Sequence, residues 1–176
     1  MSDTRANEVT MKGNPVGLAG PRLKVGDKAP DFKCVGEGLA VVTLGDTGGK
    51  PRLFSVVPSL DTPVCSIQTK TFADRLNALG DAVSAYTVSL DLPFAMKRFC
   101  AEKAITNVTN LSDAADHSFG NHYGVLITSL PIPLLCRAIF VVDGANTLRH
   151  VEYVPEIASE PNYEAALAAL EAAAKG

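Results

Sequence analysis

The run RLFSVVPSLDTPVCSIQTKTF, residues 52–72, changes its periodicity once and abruptly. Residues 52–57 form a compact apolar run of strand length, with the β-branched and aromatic content of a buried strand. Pro58 stops that strand, because proline brings no N–H to a ladder and fixes φ near about −65°. Beyond Pro63 the apolar residues Val64, Ile67, Phe72, Leu76 and Leu79 recur at roughly helical spacing and leave Lys70, Asp74 and Arg75 to water. That spacing predicts a helix over 64–79 with Gly80 as its C-cap glycine. A buried strand passing directly into an amphipathic helix calls for a sheet with helices packed on it.

The same alternation runs along the chain. EVTMKGNPVGLAG reads as two short strands turning at Gly13-Asn14-Pro15, and strands are expected near Phe32–Val35 and Leu39–Leu44. AVSAYTVSL (82–90) is the next strand, and DLPFAMKRFCAEK (91–103) a short helix with Asp91 near its cap and Pro93 in its first turn. ITNVTNLSD holds a short strand, AADHSFGNHYGV a short helix, and TSLPIPLL a loop stiffened by Pro131 and Pro133. RAIFVVDGANTLRHVEYV is the plainest hairpin, turning at Asp143-Gly144-Ala145-Asn146. SEPNYEAALAALEAAAKG closes with a helix capped by Ser159, with Pro161 in its first turn. The order predicts an α/β layer structure whose central sheet is covered on both faces.

With 176 residues, 47% hydrophobic and 20% charged, the chain suits one globular domain. Its net charge of −3, its 6% aromatic content and the lack of any basic run argue against a nucleic-acid partner. No segment approaches the roughly 20 apolar residues of a membrane helix, so no membrane partner is expected. The first residues, MSDTRANEVTMKGNPVGLAG, hold no apolar leader core, which points to the cytoplasm.

The four cysteines, Cys34, Cys65, Cys100 and Cys136, lie 31, 35 and 36 residues apart. No C-x-x-C is present, so neither a zinc ribbon nor a thioredoxin-type dithiol is expected, and the scattered His117, His122 and His150 lack a partner at metal spacing. Cys65 falls in the first turn of the predicted helix, where free N–H groups and the helix dipole favour an anion such as a thiolate. Thr62 can aim a hydroxyl into the same space, and Pro58 and Pro63 hold the loop in shape. Position alone leaves a reactive thiolate and a buried structural thiol both open.

The pattern Pro58-x-x-x-Thr62-x-x-Cys65 resembles the active-site signature of the peroxiredoxins. NPV, VTLG, PSLDTPVC, DLPFAMKRFC, RAIFVVD and EPNYEAAL follow one another as in the thiol peroxidase subfamily, the atypical two-cysteine peroxiredoxins, across essentially the whole chain. The resemblance implies a thioredoxin-like fold: a central mixed β-sheet flanked by helices, one domain over 1–176 with residues 1–25 as an N-terminal β-hairpin extension. It implies a homodimer that reduces hydrogen peroxide and organic hydroperoxides, takes electrons from thioredoxin and carries no cofactor. By position, Cys65 matches the peroxidatic cysteine and Cys100 the resolving cysteine that forms a disulfide with it. Thr62 matches the hydroxyl that bonds thiolate and peroxide, Arg137 the arginine that stabilises them, and Pro58 the residue that shields the pocket.

Cysteines pair only when their Cα atoms come within about 7 Å. Cys65 at one helix start and Cys100 near another helix end are therefore expected to need local unfolding before they join. The site is expected to be shallow, with Val64, Leu60, Phe94 and the LPIPLL loop as apolar contacts for an organic hydroperoxide. Cys34 and Cys136 read as core residues, Cys136 facing away from the pocket that Arg137 serves. Asp61 reads as a turn former rather than a base, and His117, His122 and His150 as surface or loop residues. Arg98, two residues before Cys100, either lines an exposed helix face or tunes the thiol. Two other readings on the same fold are a disulfide oxidoreductase, disfavoured by the missing C-x-x-C, and a redox sensor without turnover.

Overall fold

The computed structural model describes residues 4–176. In chain order its strands are β1 (Thr4–Met11), β2 (Asn14–Ala19), β3 (Lys33–Val35), β4 (Val41–Thr43) and β5 (Arg52–Val56). Helix α1 (Pro63–Leu76), β6 (Ser84–Ser89), α2 (Pro93–Glu102), β7 (Thr109–Ser112) and α3 (Ser118–His122) follow. The chain ends with β8 (Leu126–Ile127), β9 (Leu134–Leu135), β10 (Ala138–Val142), β11 (Leu148–Tyr153) and α4 (Tyr163–Lys175).

A seven-stranded sheet runs β11-β10-β5-β6-β7-β3-β4. It is mixed: β5–β6 and β6–β7 pair parallel, and the other neighbours antiparallel. The two parallel crossovers, β5–α1–β6 and β6–α2–β7, step in the same direction across the sheet. Crossovers of one hand then put α1 and α2 on the same face. The alternation of side chains along the strands agrees. Leu53, Ala85, Ile139 and Val141 pack with Phe72 and Leu76 of α1 and Ala166, Leu167 and Leu170 of α4. Phe54, Val56, Phe140 and Val142 point the other way, into a larger cluster with Phe32, Phe119 and Tyr123.

That second face is covered by α3 and by a four-stranded antiparallel sheet, β1-β2-β8-β9. The expected N-terminal hairpin is β1–β2 turning at Lys12-Gly13, and residues 1–3 of the predicted extension lie outside the described residues. Two glycines let it dock. A Cβ on Gly20 (φ +86) would stand 1.9 Å from Asn121 O, and one on Gly124 (φ +67) 1.8 Å from Pro21 O. Arg5 ties the approach together, donating to Gly20 O at 2.6 Å and Gly124 O at 3.0 Å.

Several boundaries differ from the sequence reading for identifiable reasons. Helix α1 ends at Leu76, and Gly80 (φ +51) opens a separate 3-10 turn, Gly80–Ala82, instead of capping the helix. The buried face of α1 is Cys65, Gln68, Thr69, Phe72, Ala73 and Leu76, whereas Ile67 is half exposed. The apolar stripe was thus displaced by about one residue, because polar Gln68 and Thr69 find partners inside. Asp91 stands next to the α2 N-cap, Leu92, as expected, whereas Asn162 rather than Ser159 caps α4, its side chain accepting from Ala165 N at 3.0 Å. The LPIPLL loop keeps its prolines outside regular structure, while Leu134–Leu135 pair as β9.

Glu156 fastens the tip of the N-terminal hairpin. Its carboxylate accepts from Thr10 Oγ1 (2.7 Å), Lys12 N (3.0 Å), Gly13 N (2.9 Å) and Ala158 N (3.0 Å). Backbone donors at Ala158 and Gly13, then the Thr10 hydroxyl, bring its pKa down to about 2. A depressed carboxylate stabilises the fold fully above its unfolded value of about 4.5 and loses that stability as pH falls through the folded value. Exchange of the Lys12 and Gly13 amides should therefore quicken as pH is lowered from about 4.5 toward about 2. Glu156→Gln should show fast exchange already at neutral pH, once corrected for intrinsic rates.

Candidate active site

The loop after β5 is held from below. Asp91, between β6 and α2, accepts from Ser59 Oγ (2.8 Å), Leu60 N (2.8 Å) and Ser89 Oγ (2.8 Å). Its own carbonyl accepts from Ser112 Oγ at 2.6 Å. Asp91 therefore clamps the segment that delivers Thr62 and Cys65, a role its place in the sequence did not signal. Pro58 is buried beneath that segment.

Thr62 is the N-cap of α1 with extended backbone, φ −101 and ψ 148, and Pro63 takes the first helical position. Pro63 has no N–H, and Thr62 makes no side-chain cap. The amides of Val64 and Cys65 consequently point to the helix start without an acceptor among the described residues. The Thr62 hydroxyl is exposed and donates to Ser59 O at 2.9 Å. The expected bond from Thr62 to the Cys65 sulfur is absent here, because the loop carbonyl has taken that donor.

Cys65 is 0% exposed. The thiol is enclosed by an apolar cluster of Val57, Leu60, Met96 and Phe99, which corrects the expectation of a shallow site. The polar neighbour in this pocket is Arg137, which leads into β10. Arg137 is 2% exposed and donates from Nη2 to Cys65 Sγ at 3.4 Å, from Nη1 to Gln68 Oε1 at 2.8 Å and from Nε to Ile157 O at 2.8 Å. Gln68 in turn donates from Nε2 to Ser55 Oγ at 2.7 Å. Among the described residues no carboxylate comes within salt-bridge range of Arg137. A guanidinium buried without a carboxylate favours an anion beside it, and the group it faces is the Cys65 sulfur. Sequence spacing passed over Gln68; the only trace was a polar residue one turn beyond Cys65.

Cys100 lies on α2 in the same apolar cluster as Cys65, and both thiols are free. Its sulfur meets the Asn110 amide, with Nδ2 at 3.3 Å and Oδ1 at 3.6 Å. It also borders an open cleft of about 440 Å³ lined by Pro93, Lys97, Ile105 and Asn110. Burial pushes the Cys100 thiol up, and the Asn110 bond opposes this. Arg98 is exposed and pairs loosely with Glu102 at 3.9 Å, so it lines the outer helix face.

The other two thiols sit on the opposite face. Cys34 is 0% exposed and donates to Asp113 Oδ1 at 3.8 Å; burial, then the Asp113 charge, raises it far above the usual thiol range. Cys136 is pushed up to about 12 by burial and packs with Val125, Leu126 and Leu135, away from Arg137's pocket. Both behave as core residues. Asp61 is exposed in the turn, and His122 is exposed, its Nδ1 donating to Asp31 O at 2.6 Å.

A mixed sheet with helices on it, and a cysteine at a helix start facing a buried arginine, define a thioredoxin-like redox protein. The redoxin family model matches residues 24–167. The thiol peroxidase of Streptococcus pneumoniae (strain ATCC BAA-255 / R6) is 51% identical over 164 residues, 93% of this chain and 99% of that one. The thiol peroxidase of Listeria monocytogenes serotype 4b (strain F2365) is 50% identical over 92% of this chain and 96% of that one. Among solved structures, a peroxiredoxin-like protein from Aquifex aeolicus superposes with a TM-score of 0.88 at 40% identity, covering 97% of this chain and 98% of that one. A thiol peroxidase from Chromobacterium violaceum, 22% identical, shares the fold with a TM-score of 0.84 over 98% of both chains. The chain belongs to the redoxin family, among the thiol peroxidases of the peroxiredoxin group, and is a peroxidase.

Removing the clamp should disorder the approach to the thiol without touching it. Asp91→Ala should lower stability by about 1–3 kcal/mol, because three donors lose their acceptor. It should also reduce kcat/KM for peroxide by about ten-fold through misplacement of the loop. Urea unfolding and steady-state peroxidase assays read the two effects separately.

Proposed function

We propose that this chain reduces hydrogen peroxide and organic hydroperoxides with Cys65 as the peroxidatic thiol. The single observation that carries the reading is the buried Arg137, which has no carboxylate partner and donates to Cys65 Sγ at 3.4 Å. The thiolate attacks the terminal peroxide oxygen, and the O–O bond breaks as the S–O bond forms. Arg137 and the Val64 and Cys65 amides stabilise the charge passing to the leaving oxygen. That oxygen takes a proton and departs as water or an alcohol, leaving Cys65 as a sulfenic acid. Thr62 joins this network when its hydroxyl turns from Ser59 O toward the peroxide, and Pro58 shields the pocket floor.

Cys100 then resolves the sulfenic acid: its sulfur bonds to Cys65, and water leaves. A thioredoxin-type dithiol reduces the disulfide by exchange and is itself oxidised. Since Cys65 begins α1 and Cys100 lies near the end of α2, the first turn of α1, the end of α2 or both open before the bond forms. Leu60 within the thiol's apolar cluster, together with Val64, Phe94 and the LPIPLL loop, suits an organic hydroperoxide.

The exposed apolar side chains Ile67, Leu92, Phe94 and Ile132 support a homodimer. All four cysteines are free, which suits a reducing compartment such as the cytoplasm; no helix among the described residues is long and apolar enough to cross a membrane. The chain reads as one domain, with residues 1–25 as its hairpin extension.

NADPH consumption with thioredoxin, its reductase and a hydroperoxide tests the assignment. Cys65→Ser should abolish turnover, and any residual thioredoxin-linked activity in that variant would overturn the site. Arg137→Met should lower kcat/KM by about 10²–10³, the usual loss when one preorganised donor is removed.

A further inference from the structure

Register across the parallel strands places Ser55 beside Thr87 and Thr87 beside Asn110. Directly paired residues project to the same face, on strands about 4.8 Å apart. That face is the one under α1 and α2. Ser55 Oγ accepts from Gln68 of α1 at 2.7 Å, and the Asn110 amide meets the Cys100 sulfur of α2 at 3.3 Å. One end of the row thus reaches Cys65 through Gln68 and Arg137, and the other end holds Cys100.

The middle of the row is unfinished. Thr87 is 0% exposed, and its Oγ1 has no hydrogen-bond partner among the described residues. A buried hydroxyl in that state is destabilising, so an arrangement that pairs it is favoured as soon as a neighbour is free to turn. Asn110 becomes that neighbour in one circumstance. When the Cys65 sulfenic acid condenses with the Cys100 thiol, the S–S bond forms and water leaves. The Cys100 sulfur moves away from the sheet, and the Asn110 amide loses its contact. Two unpaired groups, the Asn110 amide and the Thr87 hydroxyl, then stand side by side.

We propose that Asn110 positions Cys100 in the dithiol form and that its amide passes to the Thr87 hydroxyl in the disulfide form. The row acts as a two-position latch that favours oxidation. This rests on the reading of Cys100 as the resolving thiol. Thr87→Val keeps the side-chain shape, relieves the unpaired hydroxyl of the dithiol form and removes the partner needed in the disulfide form. Both effects push the equilibrium the same way.

The test is equilibration of the full chain with oxidised and reduced dithiothreitol, followed by thiol alkylation and mass spectrometry with the disulfide mapped. Thr87→Val should move the equilibrium about ten-fold toward the dithiol. Its rate of Cys65 oxidation by one equivalent of peroxide should match the unmodified chain, and Thr87→Ser should behave as the unmodified chain in both assays. The Asn110 side-chain amide resonance should shift on oxidation in both chains, and its position in the disulfide form should differ between the unmodified chain and Thr87→Val, whose amide has no hydroxyl to pass to. A Cys65–Cys100 bond with an unmoved equilibrium in Thr87→Val would overturn the latch alone. So would a Thr87→Ser variant displaced as far as Thr87→Val. A peroxide-dependent bond from Cys65 to Cys34 or Cys136 would overturn the resolving assignment and the latch with it.

Discussion

A guanidinium buried with no carboxylate beside it is the constraint around which this molecule is organised. Arg137 gives one donor to the Ile157 carbonyl, one to Gln68 and one to the Cys65 sulfur. Those three acceptors come from the segment after β11, from the second turn of α1 and from its first. The arginine therefore fixes α1 against the β5–β10 pair while presenting charge to its N-terminus. A second buried arginine shows how different the outcome can be. Arg52, also buried, donates to Thr47 Oγ1, the Lys50 and Asp143 carbonyls and Asn146 Oδ1. All its acceptors are oxygens, and they pin the turn between β10 and β11. Arg52 pairs with Val142 at one end of β10, and Ala138, next to Arg137, pairs with Val56 at the other. The same residue type closes both ends of one strand pair, but only one end contains a thiol.

The sheet topology explains why both site cysteines share a face. Two parallel crossovers stepping the same way leave α1 and α2 side by side. Cys65 at the start of one and Cys100 near the end of the other meet the same small apolar cluster. Cys34 and Cys136 belong to the larger cluster on the far side, under the four-stranded sheet. Burial raises Cys34, Cys136 and Cys100 alike; the Asp113 charge raises Cys34 further, whereas the Asn110 bond opposes the rise at Cys100. Layering thus sets two of the four thiols on each face of the sheet with no help from residue type.

Local chemistry was legible in the sequence; tertiary pairing was not. Pro58 and Pro63 mark the ends of β5 and the start of α1, because proline's missing N–H acts whatever surrounds it. The Asp143–Asn146 turn was equally plain. The stripe on α1 was misplaced because periodicity counts apolar residues, and Gln68 is a buried polar one whose partners, Ser55 and Arg137, are distant in the chain. Asp91 was placed near the cap of α2, and it stands one residue before it, but a capping neighbourhood does not reveal what the carboxylate bonds. Its acceptors are spent on Ser59, Leu60 and Ser89. Ser159 lost the α4 cap to Asn162 for a similar reason: both types cap well, and geometry chose. The row Ser55, Thr87, Asn110 could not be read at all, since register between strands leaves no trace in spacing along one of them.

Burial of Cys65 poses the remaining physical problem, because in the proposed mechanism a sulfur with no exposed surface meets peroxide and then another sulfur. The answer lies in how little holds that corner closed. Of the three buried clusters, the one around Cys65 is the smallest, eight residues, and two of them are the cysteines themselves. Its lid is the first turn of α1, where Pro63 offers no N–H, Thr62 makes no cap, and Asp61, Thr62 and Pro63 are exposed. A helix end without a cap and with few buried contacts belongs to the low-stability end of local opening. The arginine pulls the other way, holding the second turn through Gln68 while its first-turn contact is only a long bond to sulfur. Opening can therefore stop at Gln68: the turn that carries the thiol frees itself, and the guanidinium stays in place to receive the charge when it returns.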